Sequence, residues 1–252
     1  MWLMTLSSPP ATTGILATGE RRAPAARLGV VVVHDLVTAI VTGSVKPGEP
    51  LPPEGELVAT FGVSRTVIRE SVKRLEEKGM VTVAQGRGTV VTQPSEWNLL
   101  DRVVISSMIE NDETLGILDE LAQVRGDLES SMTAAAAVRR TEEELVTLRA
   151  ALQAQRDAIA DLDAFQELDR AFHARIMECS GSRLAESIAH TLVQRASEYA
   201  RFHGEPGPEG LALTLVEHQE VLDAVAAGDA EAAATTMRDH IARSWERRRL
   251  PR

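Results

Sequence analysis

Leu51–Val91 reads LPPEGELVATFGVSRTVIRESVKRLEEKGMVTVAQGRGTVV, and its punctuation spells a helix, a tight turn, a second helix and a hairpin. Glu54–Thr60 is a short helical run, Phe61-Gly62-Val63 breaks it, and Ser64 offers a hydroxyl N-cap to the next helix. That helix opens Ser64-Arg65-Thr66 and continues through Lys73, Arg74 and Lys78 to Gly79. Val63, Val67, Ile68, Val72 and Leu75 form its apolar stripe, while Arg65 and Arg69, one turn apart, share a face. Two β-rich runs, Met80–Ala84 and Thr89–Thr92, flank the turn Gln85-Gly86-Arg87-Gly88. The order is that of a winged helix-turn-helix.

The residue types suit a DNA groove. A recognition helix reaches base edges with its N-terminal residues, and an arginine fork there fits the O6/N7 edge of guanine, so Arg65 and Arg69 are the base-reading candidates. Ser64 and Thr66 can donate hydroxyls to phosphates at a helix N-terminus that already favours anions. Gly86 and Gly88 let the hairpin tip approach a strand closely, with Arg87 in or beside the minor groove. Lys73 is a phosphate contact or a solvated charge.

The run from Leu36 to Val91 resembles the DNA-binding domain of the GntR family of bacterial transcriptional regulators, through the pattern PG..LP.E.EL...FGVSRT.IRE...L...G.V....GRG..V. The resemblance implies the same contact set of Ser64, Arg65, Thr66, Arg69 and Gly86. One departure stands out: the family commonly has Arg where this chain has Gly55, so a DNA contact is missing and the operator sequence is open.

Length and charge bound the remainder. At 252 residues the chain can hold two domains, each with its own core. A single Cys179 rules out a disulfide framework within the chain and suits a reducing cytoplasm, the expected location. No apolar run reaches membrane-spanning length, and no membrane partner is expected. Residues 1–26, interrupted by Pro, Ser and Thr, read as a disordered leader and not a signal peptide. The formal charge of −10 divides unevenly. Residues 27–93, the DNA-binding domain, hold eight Lys and Arg against seven Asp and Glu, whereas residues 94–252 hold seventeen against twenty-nine. An acidic second domain leaves the recognition helix as the local attractor for DNA, with binding that is modest and strongly salt-dependent.

Gln93-Pro94-Ser95 marks a linker, and residues 94–113 form it with a connecting helix. Helical patterns then cover roughly Trp97–Glu110, Thr114–Arg139, Glu142–Ala160, Leu162–Ser180, Arg183–His203, Leu211–Ala227 and Ala230–Arg249, separated at Gly181, Gly204–Gly210 and Gly228-Asp229. Thr141 and Glu144 make a capping box. The expected fold is mainly α: an N-terminal winged helix-turn-helix followed, over 114–249, by an antiparallel all-α bundle.

Histidine placement is the bundle's informative feature. Asp169 and His173 are four apart and leave one helix face. His218 lies ten residues before Gly228 and His240 twelve after it, which sets them at nearly one height on an antiparallel helix pair. One Asp and three His can therefore converge. Such a set suits Zn first, and also Ni, Mn or Fe, with positions left for solvent or ligand; each His could equally be a separate core or surface residue.

Asp169-x-x-Phe172-His173, Glu217-His218 and His240 resemble the FCD effector domain of the FadR-type subfamily, over Leu115–Trp245. That resemblance implies a divalent metal held by Asp169, His173, His218 and His240, and a small carboxylate effector. Arg125 resembles the arginine of the domain's VR..LE pattern and can pair with that carboxylate or with a structural partner; Arg170, Arg175, Arg195 and Arg201 are reserves. Trp97–Asp101 resembles a segment of sugar-acid regulators of the galactonate-repressor kind, which points to an aldonate or uronate. His34, His190 and His203 have no evident partner.

The function expected is a homodimeric transcription factor, most simply a repressor, on an inverted-repeat operator of double-stranded DNA. Two alternatives stand beside it: the same regulator with a purely structural metal, and a metal-dependent hydrolase or lyase. The enzyme reading lacks a general base, because Glu217, adjacent to His218, should point about 100° away from the cavity.

Overall fold

The computed structural model describes residues 24–84, 86–199 and 207–249. It opens with α1 (Pro24–Val41), whose Val32, Val33, Leu36, Val37 and Ile40 recur at helical spacing and are all buried. The expected leader lies outside the described residues apart from its last three, which begin this helix.

α2 (Glu54–Phe61) ends at Gly62, which takes the left-handed conformation at φ 63° that the tight turn needs. α3 (Arg65–Glu77) is capped by Ser64, whose Oγ accepts the amide of Val67 at 3.4 Å. Ile68 and Leu75 are wholly buried while Val67 and Val72 are half-buried at the stripe's edge. β1 (Val81–Ala84) and β2 (Gly88–Val91) pair antiparallel with Val81 opposite Val91, and Leu51 donates its amide to the Thr89 carbonyl at 2.8 Å, tying the entry to α2 onto the wing.

After a 3-10 turn at Pro94–Glu96, the connecting helix α4 (Arg102–Asn111) starts five residues later than the pattern suggested. Asp101 sets that start: its Oδ1 accepts the amides of Val103 at 2.9 Å and Val104 at 3.3 Å, which ends the turn over Trp97–Asp101 and begins the helix.

The bundle follows: α5 (Gly116–Arg139), α6 (Glu142–Asp157), α7 (Leu162–Ser180), α8 (Arg183–Ser197), α9 (Pro208–Ala227) and α10 (Ala230–Arg248). The Thr141–Glu144 capping box forms as expected. α5 is the hub, packed on α7, α8, α9 and α10. Its last residues secure its neighbours: Arg139 donates to the Ser180 carbonyl, and Arg140 to those of Val225 and Ala226, satisfying groups left open at the ends of α7 and α9. The main core holds Leu145, Leu148, Leu152, Phe172, Ile176, Val221, Val225, Met237 and Ile241. Among the described residues no helix is long and apolar enough to cross a membrane.

Candidate functional site

Two places gather the chemistry, one in each domain. On α3, Ser64, Arg65, Thr66, Arg69 and Lys73 are all exposed, and Gly86 and Arg87 are exposed at the wing tip. Gly86 and Gly88 take positive φ, 79° and 77°, conformations that let the chain reverse sharply between the strands. Arg69 is already engaged: its Nε–H donates to both carboxylate oxygens of Glu54 at 3.0 Å.

The second place is inside the bundle. α7 carries Asp169 and His173, α9 carries His218, and α10 carries His240. The Nε2 atom of His240 lies 3.2 Å from Nε2 of His173 and 3.1 Å from Nε2 of His218. His218 and His240 thus lie at one height on the antiparallel pair α9 and α10. All three rings are almost completely buried, and Phe172 stacks on His218 with centroids 4.4 Å apart. Asp169 Oδ1 sits 3.6 Å from His218 Nε2, beside the trio.

Each ring turns its other nitrogen outward to an oxygen. His173 Nδ1 meets Glu129 Oε2 at 2.5 Å, His218 Nδ1 meets Gln155 Oε1 at 2.8 Å, and His240 Nδ1 meets Glu217 Oε2 at 2.9 Å. Burial alone would push the Glu129 carboxyl up, but Arg125 and His173 outweigh it and hold it at about 2. Glu217 behaves alike: burial opposes, and Arg247 with His240 holds it at about 2. Asp169 is likewise held well below the usual carboxylate range, against its burial, by the surrounding imidazoles. These carboxylates can only accept, so His173 and His240 donate from Nδ1. Gln155 donates its amide to Asp169 Oδ1 at 3.2 Å, which turns its Oε1 toward His218 and makes that ring a donor as well.

The consequence is electrostatic. Burial, then the neighbouring His240, pushes the His218 imidazole well below its ordinary value, and burial holds His240 at about 4. His218 and His240 are therefore neutral at pH 7. With Nδ1 protonated in both, the Nε2 lone pairs of His218 and His240 face one another 3.1 Å apart with no hydrogen between them, and His173 Nε2 lies 3.2 Å from that of His240. Such an arrangement repels unless a cation sits among them, and outward Nδ1–H bonds to oxygens are the supporting shell of metal-ligating imidazoles. The residues present fit a divalent cation.

Some expectations need correction. Glu217 is off the cavity wall, yet it is not idle: it is buried, accepts from the outward Nδ1 of His240 on α10, and is clasped by Arg247 through two contacts of 2.7 Å. The 100° offset from His218 turns it toward the neighbouring helix, which the argument from α9 alone left out. Arg125 is buried with a partner on its own helix, Glu129 Oε1 at 2.5 Å, so it reaches the trio through a carboxylate. Glu129 was readable as the residue four after Arg125; Gln155 and Arg247 had no local signal, since only tertiary packing brings them in. Arg175 pairs with Glu178 and Arg195 with Glu198, while Arg201 and His203 lie outside the described residues. His34 faces Asp35 and Glu110.

A cavity of about 620 Å³ opens between α5, α7 and α8 beside the trio, lined among others by Arg125, Glu129, Gln166, Arg170, His173 and His190. His173 is its point of contact with the histidine centre. His190 therefore acquires a place that spacing did not suggest.

Comparison with known proteins agrees with both halves. Residues 28–91 match the model of the bacterial regulatory proteins of the gntR family, and residues 120–243 match the FCD domain. The chain is 31% identical to the galactonate operon transcriptional repressor of Escherichia coli (strain K12), covering 86% of this chain and 94% of that one. It is 32% identical to the Uxu operon transcriptional regulator of the same organism, over 83% and 81%. The solved structure of Lar, which controls expression of the Listeria monocytogenes agr system, superimposes with a TM-score of 0.51 at 19% identity over 87% of this chain and 95% of that one, a likeness of fold. With a recognition helix and wing at one end and an FCD domain at the other, this chain is a member of the GntR family of DNA-binding transcriptional regulators.

Proposed function

We propose that the protein is a homodimeric repressor whose grip on an inverted-repeat operator is set by a small carboxylate bound in the 620 Å³ cavity, next to a divalent cation. The observation that carries this is the convergence of three histidine Nε2 atoms, one of them on His173, which also lines that cavity. His173, His218 and His240 would hold the cation, with Asp169 as the fourth donor. A cation bound there would supply positive charge on which a carboxylate can settle. The chain's own contribution is to orient and neutralise: Glu129 and Glu217 fix the rings, Arg125 and Arg247 balance those carboxylates, and Arg170, His190 and Gln194 offer donors to the ligand's remaining oxygens. A sugar acid is the first class to try, because a 31% identical relative represses a galactonate operon.

The route to DNA runs through α4. Gln194 and Ser197 of α8 line the cavity, and the next residue, Glu198, accepts two bonds from Arg102 in the first turn of α4. Asp101, which caps α4, receives Lys78 Nζ from the end of the recognition helix at 2.5 Å. A ligand that moves α8 would thus tilt α4 and, with it, α3. A tenfold change in operator occupancy requires only about 1.4 kcal/mol of differential affinity.

A second reading, a purely structural cation, is favoured by the burial of His218 and His240, which leaves His173 to face the cavity. Thermal melting of the full chain, zinc-loaded and chelated, against sugar acids and small carboxylates separates the two. Stabilisation by an acid that needs the metal, with release of operator DNA by the same acid, supports the effector reading. A large loss on chelation with no acid-dependent shift favours the structural cation.

A further inference from the structure

Arg69 is held by the protein before any DNA arrives. Its Nε–H lies 3.0 Å from each carboxylate oxygen of Glu54, the first residue of α2. The backbone that presents Glu54 is stiff. Leu51 is buried and its amide is bonded to Thr89 of the wing, Pro52 and Pro53 fix two successive φ angles, and Pro53 stands at φ −55° as the residue before the helix. The carboxylate is therefore offered from a fixed point tied to the wing.

The pair does little to join α2 to α3. Both side chains are well exposed, and exposed ion pairs contribute little to stability. Buried Leu57 and Ile68 already sit in the shared core. A carboxylate beside a phosphate-lined groove also works against binding, since DNA attracts cations and repels anions. What the contact does is orient. A solvated arginine spreads over many rotamers; gripping it by Nε removes that spread and leaves the terminal Nη pair, the two donors that fit O6 and N7 of guanine.

We infer that Glu54 is a positioning residue for base recognition: it presets the Arg69 guanidinium and thereby sets the base preference where Arg69 reaches the operator. This rests on Arg69 being a base reader, so the test must be able to fail on either point.

The full-length protein and the variants R69A, E54A and E54Q each select binding sites from a randomised duplex pool, and affinities are then measured for the wild-type site and for unselected DNA. R69A should lose preference at one position per half-site, and E54A should lose it at the same position. E54A should weaken binding to the wild-type site about three- to tenfold, the cost of ordering one long side chain. Unselected DNA should be bound by E54A as well as before or more tightly, a negative charge having gone. E54Q, whose amide oxygen still accepts from Nε, should recover part of the preference, and E54A/R69A should be no worse than R69A alone. If E54A keeps the wild-type preference and simply binds all DNA more tightly, Glu54 is an electrostatic brake and the inference falls. If R69A itself keeps the wild-type preference, the base-reading role of Arg69 fails first.

Discussion

Val104 and Ile105 are consecutive on α4, yet each is buried in a different core. Val104 packs among Leu36, Val37 and Leu75 of the DNA-binding domain, and Ile105 joins Leu118, Leu192 and Trp245 of the bundle. Neighbours on a helix point about 100° apart, so one short helix can close two hydrophobic interiors at once.

Unfolding should therefore be shared between the domains. Ile105→Ala removes a side chain only 5% exposed and should cost about 2–4 kcal/mol, the usual range for truncating buried isoleucine. Amide exchange followed peptide by peptide should show protection falling in α3 as well as in α5. Loss confined to α5 would mean that α4 belongs to the bundle alone.

The outer partners of the histidines should matter to metal affinity almost as much as the ligands. Glu217→Gln retains an oxygen near His240 but removes the charge that Arg247 and the ring both lean on. Zinc affinity, measured by competition with a chromogenic chelator, should drop about 10–100-fold. Unchanged affinity would remove His240 from the ligand set. His240→Ala should abolish tight binding while leaving the winged domain folded.

How much of this was legible in the chain follows from how local each signal is. Ser64, Gly62 and the Gly86–Gly88 turn act on their immediate neighbours, so the winged domain could be read residue by residue. The convergence of His218 with His240 also came through, because a single tight turn at Gly228 makes the helix pair's register a matter of counting. α1 did not: four consecutive valines, Val30–Val33, blur a helical period that Leu36, Val37 and Ile40 complete. The supporting shell was harder still, since Gln155 reaches His218 from 63 positions away and Glu129 reaches His173 from 44. Nothing in a helix's own periodicity says which of its polar residues will meet another helix.

Cys179 gives a pH prediction. Burial, then Glu144 and Glu178, pushes its thiol up to about 11. A thiol raised above its unfolded value of about 8.5 adds stability that is fully present below that pH and is lost as pH climbs through the folded value. Stability should thus decline between about pH 8.5 and 11, and Cys179→Ala should flatten that part of the curve. In the native protein at pH 8, a disulfide reagent should react at least about a hundredfold more slowly than after denaturation, the thiolate being so scarce. Fast native labelling would show that the site opens.

Gly62 and Gly79 form a matched pair for testing how the recognition helix is seated. Both take the left-handed conformation, at φ 63° and 72°, and both follow the end of a helix. Their surroundings differ. A Cβ at Gly62 would meet nothing within 4 Å, whereas one at Gly79 would lie 2.2 Å from the Glu96 carbonyl oxygen. Gly62→Ala should therefore cost only the conformational penalty, about 1–2 kcal/mol. Gly79→Ala adds a backbone clash that no side-chain rotation relieves. It must push the linker off the end of α3, stretching the Asn98 amide bond to the Lys78 carbonyl, now 2.9 Å, and the Lys78–Asp101 pair behind it. Urea unfolding should show Gly79→Ala at least about 1 kcal/mol worse than Gly62→Ala, a cost typical of forced overpacking. Operator binding should suffer with it, because the helix end and the linker move together. Equal losses at the two glycines would mean that the linker yields freely, and α3 would then be tied to the bundle only through the α1–α4 packing.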